Sequence, residues 1–178
     1  GLSWQFVAWV GEELENGFRI MPSTVRTSEN ELLLTSRVRM ASENVNELSS
    51  GENSKSRYID SWLSTNNGKN WEYQGKPVDN LGEGNPPSLI KLQDGRLCLT
   101  YGFRAAPFSI CAKISEDNGR TWGEEITLRN DGAGRDIGYV RSVQRPDGKV
   151  ITIYYFQDKV NPERYIAGTI WDPANFKH

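Results

Sequence analysis

Two octapeptides constrain this chain more than any other feature. Residues 115–122 read Ser115-Glu116-Asp117-Asn118-Gly119-Arg120-Thr121-Trp122, and residues 64–71 read Ser64-Thr65-Asn66-Asn67-Gly68-Lys69-Asn70-Trp71. The opening Gly1-Leu2-Ser3-Trp4 matches the last four positions of the same pattern. A short Asp or Asn side chain followed by Gly closes a tight hairpin, with Gly at the φ > 0 position. The Ser and Thr hydroxyls can bond the turn backbone, and the Trp can cap the hairpin from its apolar side. The first copy starts in mid-pattern. The expectation is therefore that the native sequence extends upstream, and that this chain is the C-terminal part of a longer protein or a half-length relative of one.

The strand-like runs between turns repeat. Met21–Thr27 leads through Ser28-Glu29-Asn30 to Leu32-Leu33-Leu34-Thr35. Asn85–Leu92 leads through Gln93-Asp94-Gly95 to Leu97–Tyr101, and Gly138–Gln144 through Pro146-Asp147-Gly148 to Val150–Tyr155. Asp-Gly between apolar runs is a strong hairpin signal. Third strands are expected near Tyr58–Leu63, Ser109–Ile114 and Tyr165–Trp171, and fourth strands near Glu72–Lys76 and Glu124–Leu128. Four antiparallel strands per unit make a propeller blade, and a fixed repeat of such units makes an array. The division is a lone strand at 5–10, blades at 18–77 and 85–129, and a three-stranded blade at 138–172. Ala41–Lys55 is polar and reads as a long surface loop.

Composition narrows the function. A net charge of −2 and a pI near 5.6 argue against a general nucleic-acid or membrane-surface binder. No run approaches the length of a membrane-spanning segment. Cys98 and Cys111 show no metal-ligand spacing, and they read as two small buried thiols rather than a disulfide. The one histidine, His178, leaves no histidine-based triad or His-rich metal site. No cofactor and no metal are expected.

The octapeptide resembles the Asp box, S-x-D-x-G-x-T-W, of the sialidase-like β-propellers, and residues 18–172 resemble the C-terminal half of such a protein. The resemblance implies an all-β fold of about three four-stranded antiparallel blades, half of a six-bladed propeller. It implies glycoside hydrolysis of terminal acidic sugars of glycans, with a non-catalytic glycan-binding or assembly propeller as the alternative. A secreted or periplasmic location goes with the family. The partner is a second half-propeller, either the missing N-terminal half or a second copy. In a two-fold dimer, strand 5–10 of each chain would complete the last blade of the other.

Propeller ligands sit at the central mouth, opposite the Asp-box turns. First-strand starts place Arg19, Met21, Pro22, Asn85, Asp136, Tyr139 and Arg141 there. Second-strand ends place Arg37, Arg39, Arg104, Tyr154, Tyr155 and Gln157 there. Arginine forks bind carboxylates in a bidentate way, so this set suits an anionic sugar. The plainer reading pairs each arginine with acidic residues of neighbouring loops. The resemblance makes Tyr139 the covalent nucleophile, an exception to the two-carboxylate scheme. It gives Arg37, and Arg104 as the nearest candidate, the carboxylate-binding role, joined by Arg141, with Arg39, Asn85 and Tyr155 also contacting the sugar. A phenol of ordinary pKa needs a carboxylate to take its proton. The family places a glutamate near Met21, where this chain has none, and Asp136 is the candidate substitute.

Overall fold

The computed structural model describes residues 3–40 and 57–176, and the expected loop at 41–55 lies outside them. The described chain is all-β apart from one 3₁₀ turn at Pro173–Asn175. Eleven strands form three antiparallel sheets. The first contains β1 (Gly17–Arg26), β2 (Leu32–Met40), β3 (Arg57–Ser64) and β4 (Glu72–Val78) in that order. The second contains β5 (Ser88–Lys91), β6 (Leu97–Phe103), β7 (Ser109–Ser115) and β8 (Ile126–Arg129), also in sequence order. The third contains β9 (Gly138–Gln144), β10 (Val150–Phe156) and β11 (Tyr165–Trp171). This is the up-and-down arrangement of propeller blades, and the chain is a partial propeller.

The expected strand at 5–10 is not formed. Those residues pair with no strand among the described residues, and Phe6, Val7 and Trp9 are exposed. A strand needs a neighbour to satisfy its backbone groups, and this segment has none among the described residues.

Alternation along each strand turns one sheet face to each neighbour. Leu33, Ile59 and Leu63 of the first blade pack against Leu89, Leu97, Leu99 and Tyr101 of the second. The opposite face of the second blade, with Cys98, Ala112 and Ile114, packs against Val150 and Trp171 of the third. Ile110 meets Val140, Tyr154 and Phe156 in an adjoining cluster. Burying each such side chain contributes about 2 kcal/mol. Cys98 and Cys111 are free and buried, and they join the clusters on opposite faces of their sheet, so they do not face each other.

The inner strands are laced by serines at equivalent positions. Leu89 N–H donates to Ser23 Oγ at 2.9 Å, and Ser142 N–H donates to Ser88 Oγ at 3.1 Å. Each link joins one blade's first strand to the next blade's, which fixes the blades around a common axis. No helix among the described residues is long and apolar enough to cross a membrane.

Candidate functional site: an arginine cluster at the axial mouth

Both octapeptides fold into the same turn at one end of the blades. Asn67 and Gly68, and Asn118 and Gly119, take positive φ, which matches the strand twist. Gly119 N–H donates to Ser115 Oγ at 2.8 Å, as Gly68 N–H does to Ser64 Oγ at 2.8 Å. Asp117 accepts from Thr121 N–H at 2.8 Å and from Thr121 Oγ1 at 2.6 Å. Asn66 accepts from Asn70 N–H at 2.9 Å.

The register puts Arg37, Arg39 and Arg57 at the other end of the first blade, where Arg37 faces Ile59 and Arg39 faces Arg57. Arg37 is buried, and its Nε has no hydrogen-bond partner. Burial holds its guanidinium below the usual basicity. A favourable pull from Tyr139 works against this, while Arg39, Arg104 and Arg57 push the same way as burial. Arg57 is lowered likewise, first by burial and then by Arg39, with Glu83 opposing. Among the described residues, no carboxylate forms an ion pair with Arg37, Arg39 or Arg57. An arginine desolvated among other arginines lacks its counter-charge.

Beside this cluster lies a second group. Tyr155 Oη donates to Asp136 Oδ1 at 2.6 Å, and Arg104 Nη2 donates to Tyr155 Oη. Arg104 Nε is tied to the Ile137 carbonyl at 2.9 Å, and Arg164 Nε donates to Asp136 Oδ2 at 2.8 Å. Burial, with the bond to Asp136 next, pushes the Tyr155 hydroxyl up to about 12. Asp136 is held below the usual carboxylate range, chiefly by the hydrogen bond from Tyr155. The Tyr139 ring lies 5.8 Å from that of Tyr155, with the Arg104 guanidinium 5.6 Å from its centroid. Among the described residues, no carboxylate hydrogen-bonds the Tyr139 hydroxyl.

Local structure explains the placement. The start of β9 carries a one-residue bulge, with Gly138 and Tyr139 both at positive φ. Asn85 holds it there: Nδ2 donates to the Ile137 carbonyl at 2.7 Å, and Oδ1 accepts Tyr139 N–H at 3.2 Å. A Cβ at Gly138 would lie 2.4 Å from that amide, so glycine is required.

The structure thus brings together Arg37, Arg39, Arg104, Tyr139, Tyr155 and Asp136. Asn85 is fully buried with both ends of its amide engaged, so it orients the strand rather than reaching a ligand. Arg141 is not among the groups acting on Arg37; it is exposed and donates to the Val140 carbonyl at 2.8 Å. Arg19 is paired with buried Asp60 at 2.7 Å, the plainer reading for an arginine. Arg57 and Arg164 were not anticipated. Arg57 faces Arg39 between β2 and β3, but the long segment between them hides that register in the sequence. Among the described residues, no group of three or more His, Cys, Asp or Glu could hold a metal.

Comparison with solved structures gives the class. The chain matches a protein of unknown function from Dyadobacter fermentans with 28% identity and a TM-score of 0.66, covering 89% of this chain and 39% of that one. It matches an α-L-arabinanase of Penicillium chrysogenum complexed with arabinobiose (17% identity, TM-score 0.62, 86% and 46% covered). It also matches a polysaccharide lyase, an ulvan lyase bound to -[GlcA(1-4)Rha3S]- (17% identity, TM-score 0.63, 93% and 41% covered). Further glycoside hydrolases and a sialidase share the fold. The chain spans between 32% and 56% of the length of these structures. No protein-family model matches the sequence, and no curated protein sequence matches it.

Proposed function

We propose that this chain supplies the anion-binding half of a glycan-active propeller of the sialidase superfamily, with Asp-box turns on its rim. The complete assembly hydrolyses terminal acidic sugars of glycans. The observation that carries the reading is Arg37, buried, with an unpartnered Nε and three further arginines acting on it. A carboxylate or sulfate on the sugar supplies the missing counter-charge through Arg37, Arg39 and Arg104. The ulvan lyase, bound to a saccharide written with GlcA and Rha3S, is a propeller neighbour that supports this ligand chemistry.

For the chemistry, Tyr155 is the mouth tyrosine with a carboxylate in reach, its hydroxyl donating to Asp136 at 2.6 Å. Asp136 takes the phenol proton as the oxygen bonds the anomeric carbon, and Arg104 steadies the developing phenolate. The glycosidic C–O bond breaks, and the leaving oxygen takes its proton from an acid on the other half of the propeller. Tyr139 flanks the sugar. Water later displaces the tyrosine oxygen, losing a proton to the conjugate base of that acid, and the phenolate recovers its proton from Asp136. The lack of a carboxylate at Tyr139 favours a second reading, a glycan-binding propeller without turnover. The other half is either further chain of a longer protein or a second copy. The exposed face of the third blade, with Val143, Ile166 and Ile170, supports such a neighbour.

Calorimetry with a uronate-bearing disaccharide and its methyl ester tests the anion site. The acid should bind at least tenfold more tightly than the ester, and equal affinities would reject the reading. In the complete assembly, Tyr155→Phe should lower kcat with little change in KM, whereas an equal effect of Tyr139→Phe would return the role to Tyr139.

A further inference from the structure

The arginines at the mouth outnumber the carboxylates that match them. Arg104 has Asp136 at 3.9 Å, and Arg164 shares that carboxylate at 2.8 Å. Glu83 acts on Arg57, but both of its oxygens accept from Arg135 Nη1, at 2.9 and 2.7 Å. Arg37, Arg39 and Arg57 are left, and none of them has a hydrogen bond or ion pair with another described residue.

Backbone register makes these three one group. Arg37 and Arg39 are two positions apart on β2, so they share a face and stand about 7 Å apart along the strand. Arg57 on β3 lies directly opposite Arg39, one step nearer the open end than Arg37. Like charges directly opposite each other destabilise a sheet. Solvent does not fully screen them here, because Arg37 is buried and Arg39 and Arg57 are half-buried. Phe18 flanks Arg39 from β1, with its ring centroid 5.7 Å from the guanidinium. Desolvated cations without a counter-charge oppose folding. A ligand with one carboxylate sets a single charge against the three.

Resting on the anion-binding reading of the mouth, we infer that the saccharide it takes carries two anionic groups, on neighbouring units. The first, a carboxylate, meets Arg37 and Arg104. The second meets Arg57, with Arg39 between the two positions. Arg57 is then the residue that separates doubly charged from singly charged ligands. Arg135, by engaging both oxygens of Glu83, keeps that acid from pairing with Arg57.

Calorimetry on the full chain at constant ionic strength tests this with three disaccharides of one backbone. The first carries a single uronate, the second a uronate on both units, and the third a uronate with a sulfate on the neighbouring unit. A doubly charged disaccharide should bind at least tenfold more tightly than the singly charged one. That ratio should fall below threefold in Arg57→Gln and persist in Arg57→Lys. It should fall also in Arg135→Gln, a change at a 69% exposed side chain that releases Glu83 onto Arg57. The tighter of the two doubly charged ligands identifies the second group as carboxylate or sulfate. Binding of the single uronate with no gain from either second charge overturns the proposal and leaves the anion site standing. A tenfold gain that survives in both Arg57→Gln and Arg135→Gln overturns it too, because the attraction then comes from the general charge of the mouth. No binding of any of the three rejects the anion site itself, and the proposal with it.

Discussion

The rim turns and the axial mouth are both rich in polar side chains and put them to opposite ends. At the rim, Ser115, Asp117 and Thr121 spend their polar atoms on the turn itself. At the mouth, Arg37 is as buried as a core residue and leaves Nε without a partner. A satisfied polar network contributes to folding, whereas an unsatisfied buried cation costs folding energy. The two rim turns are therefore structural, and the mouth keeps the unspent polar capacity on which the proposed ligand site rests. Trp122 is the exception at the rim, its indole N–H buried without a partner.

The largest effect expected of this contrast is on stability, at the rim. Gly119 sits at φ +86°, and a Cβ there would lie 2.3 Å from Leu33 Cδ2. Leu33 is fully buried between two blades and has no room to retreat. Gly119→Ala should cost about 3 kcal/mol or more, from left-handed strain and overpacking together. Gly68 has the same φ of +86°, but its nearest neighbour would be Leu32 Cδ1 at 3.6 Å. Gly68→Ala should therefore cost only the strain, about 1 kcal/mol. Urea unfolding of both variants measures the difference, and equal losses would show that the second turn is not wedged into the neighbouring blade.

At the mouth the signs separate. Arg37→Gln should weaken binding of a uronate saccharide on the order of 30-fold, corresponding to about 2 kcal/mol for a lost charged hydrogen bond. Its melting temperature should stay level or rise, because a buried, unpaired cation is removed. A clear fall in melting temperature together with unchanged binding would make Arg37 structural and erase the distinction between the two ends.

The rim was more legible in the sequence than the mouth. Turn chemistry is local: Asn118-Gly119 dictates its own dihedrals, and Ser115 lies within reach of Gly119 N–H whatever the rest of the chain does. The two Asp-Gly hairpins, the alternating apolar runs and their repeat located all eleven strands, with the largest boundary differences at the start of β1 and the end of β2. The segment 5–10 has a strand-like pattern but no neighbour among the described residues, and a strand-like pattern cannot supply its own neighbour. The mouth depends on register between distant strands. Arg37 and Arg104 could be placed there by the repeat, but the pairing of Asp136 with Tyr155 depends on a bulge at Tyr139. Asn85, just before β5 in the neighbouring blade, holds that bulge. No local pattern announces a one-residue slip, and the slip decides which tyrosine meets the carboxylate.

The smallest effect separates the two turns themselves. Asp117 and Asn66 occupy the same place, and each accepts a backbone N–H four residues on. Only Asp117 has a second acceptor oxygen engaged, by Thr121 Oγ1 at 2.6 Å. Partial burial alone would raise the Asp117 pKa, but the hydrogen bonds from Thr121 and Ser115 outweigh it and hold the group below its ordinary value of 3.8. A folded-state pKa below the unfolded one means stability that is complete above about pH 4 and is lost as pH falls through the folded value. Asp117→Asn should cost about 1 kcal/mol at pH 7, the worth of one charge-assisted bond made weaker. That difference should shrink below pH 4, as the parent loses what the variant never had. Chemical denaturation of both proteins at pH 7 and at pH 3 gives the comparison. A gap that stays constant across that range would mean that the charge of Asp117 contributes nothing, and that the two turns are equivalent apart from what lies beneath their glycines.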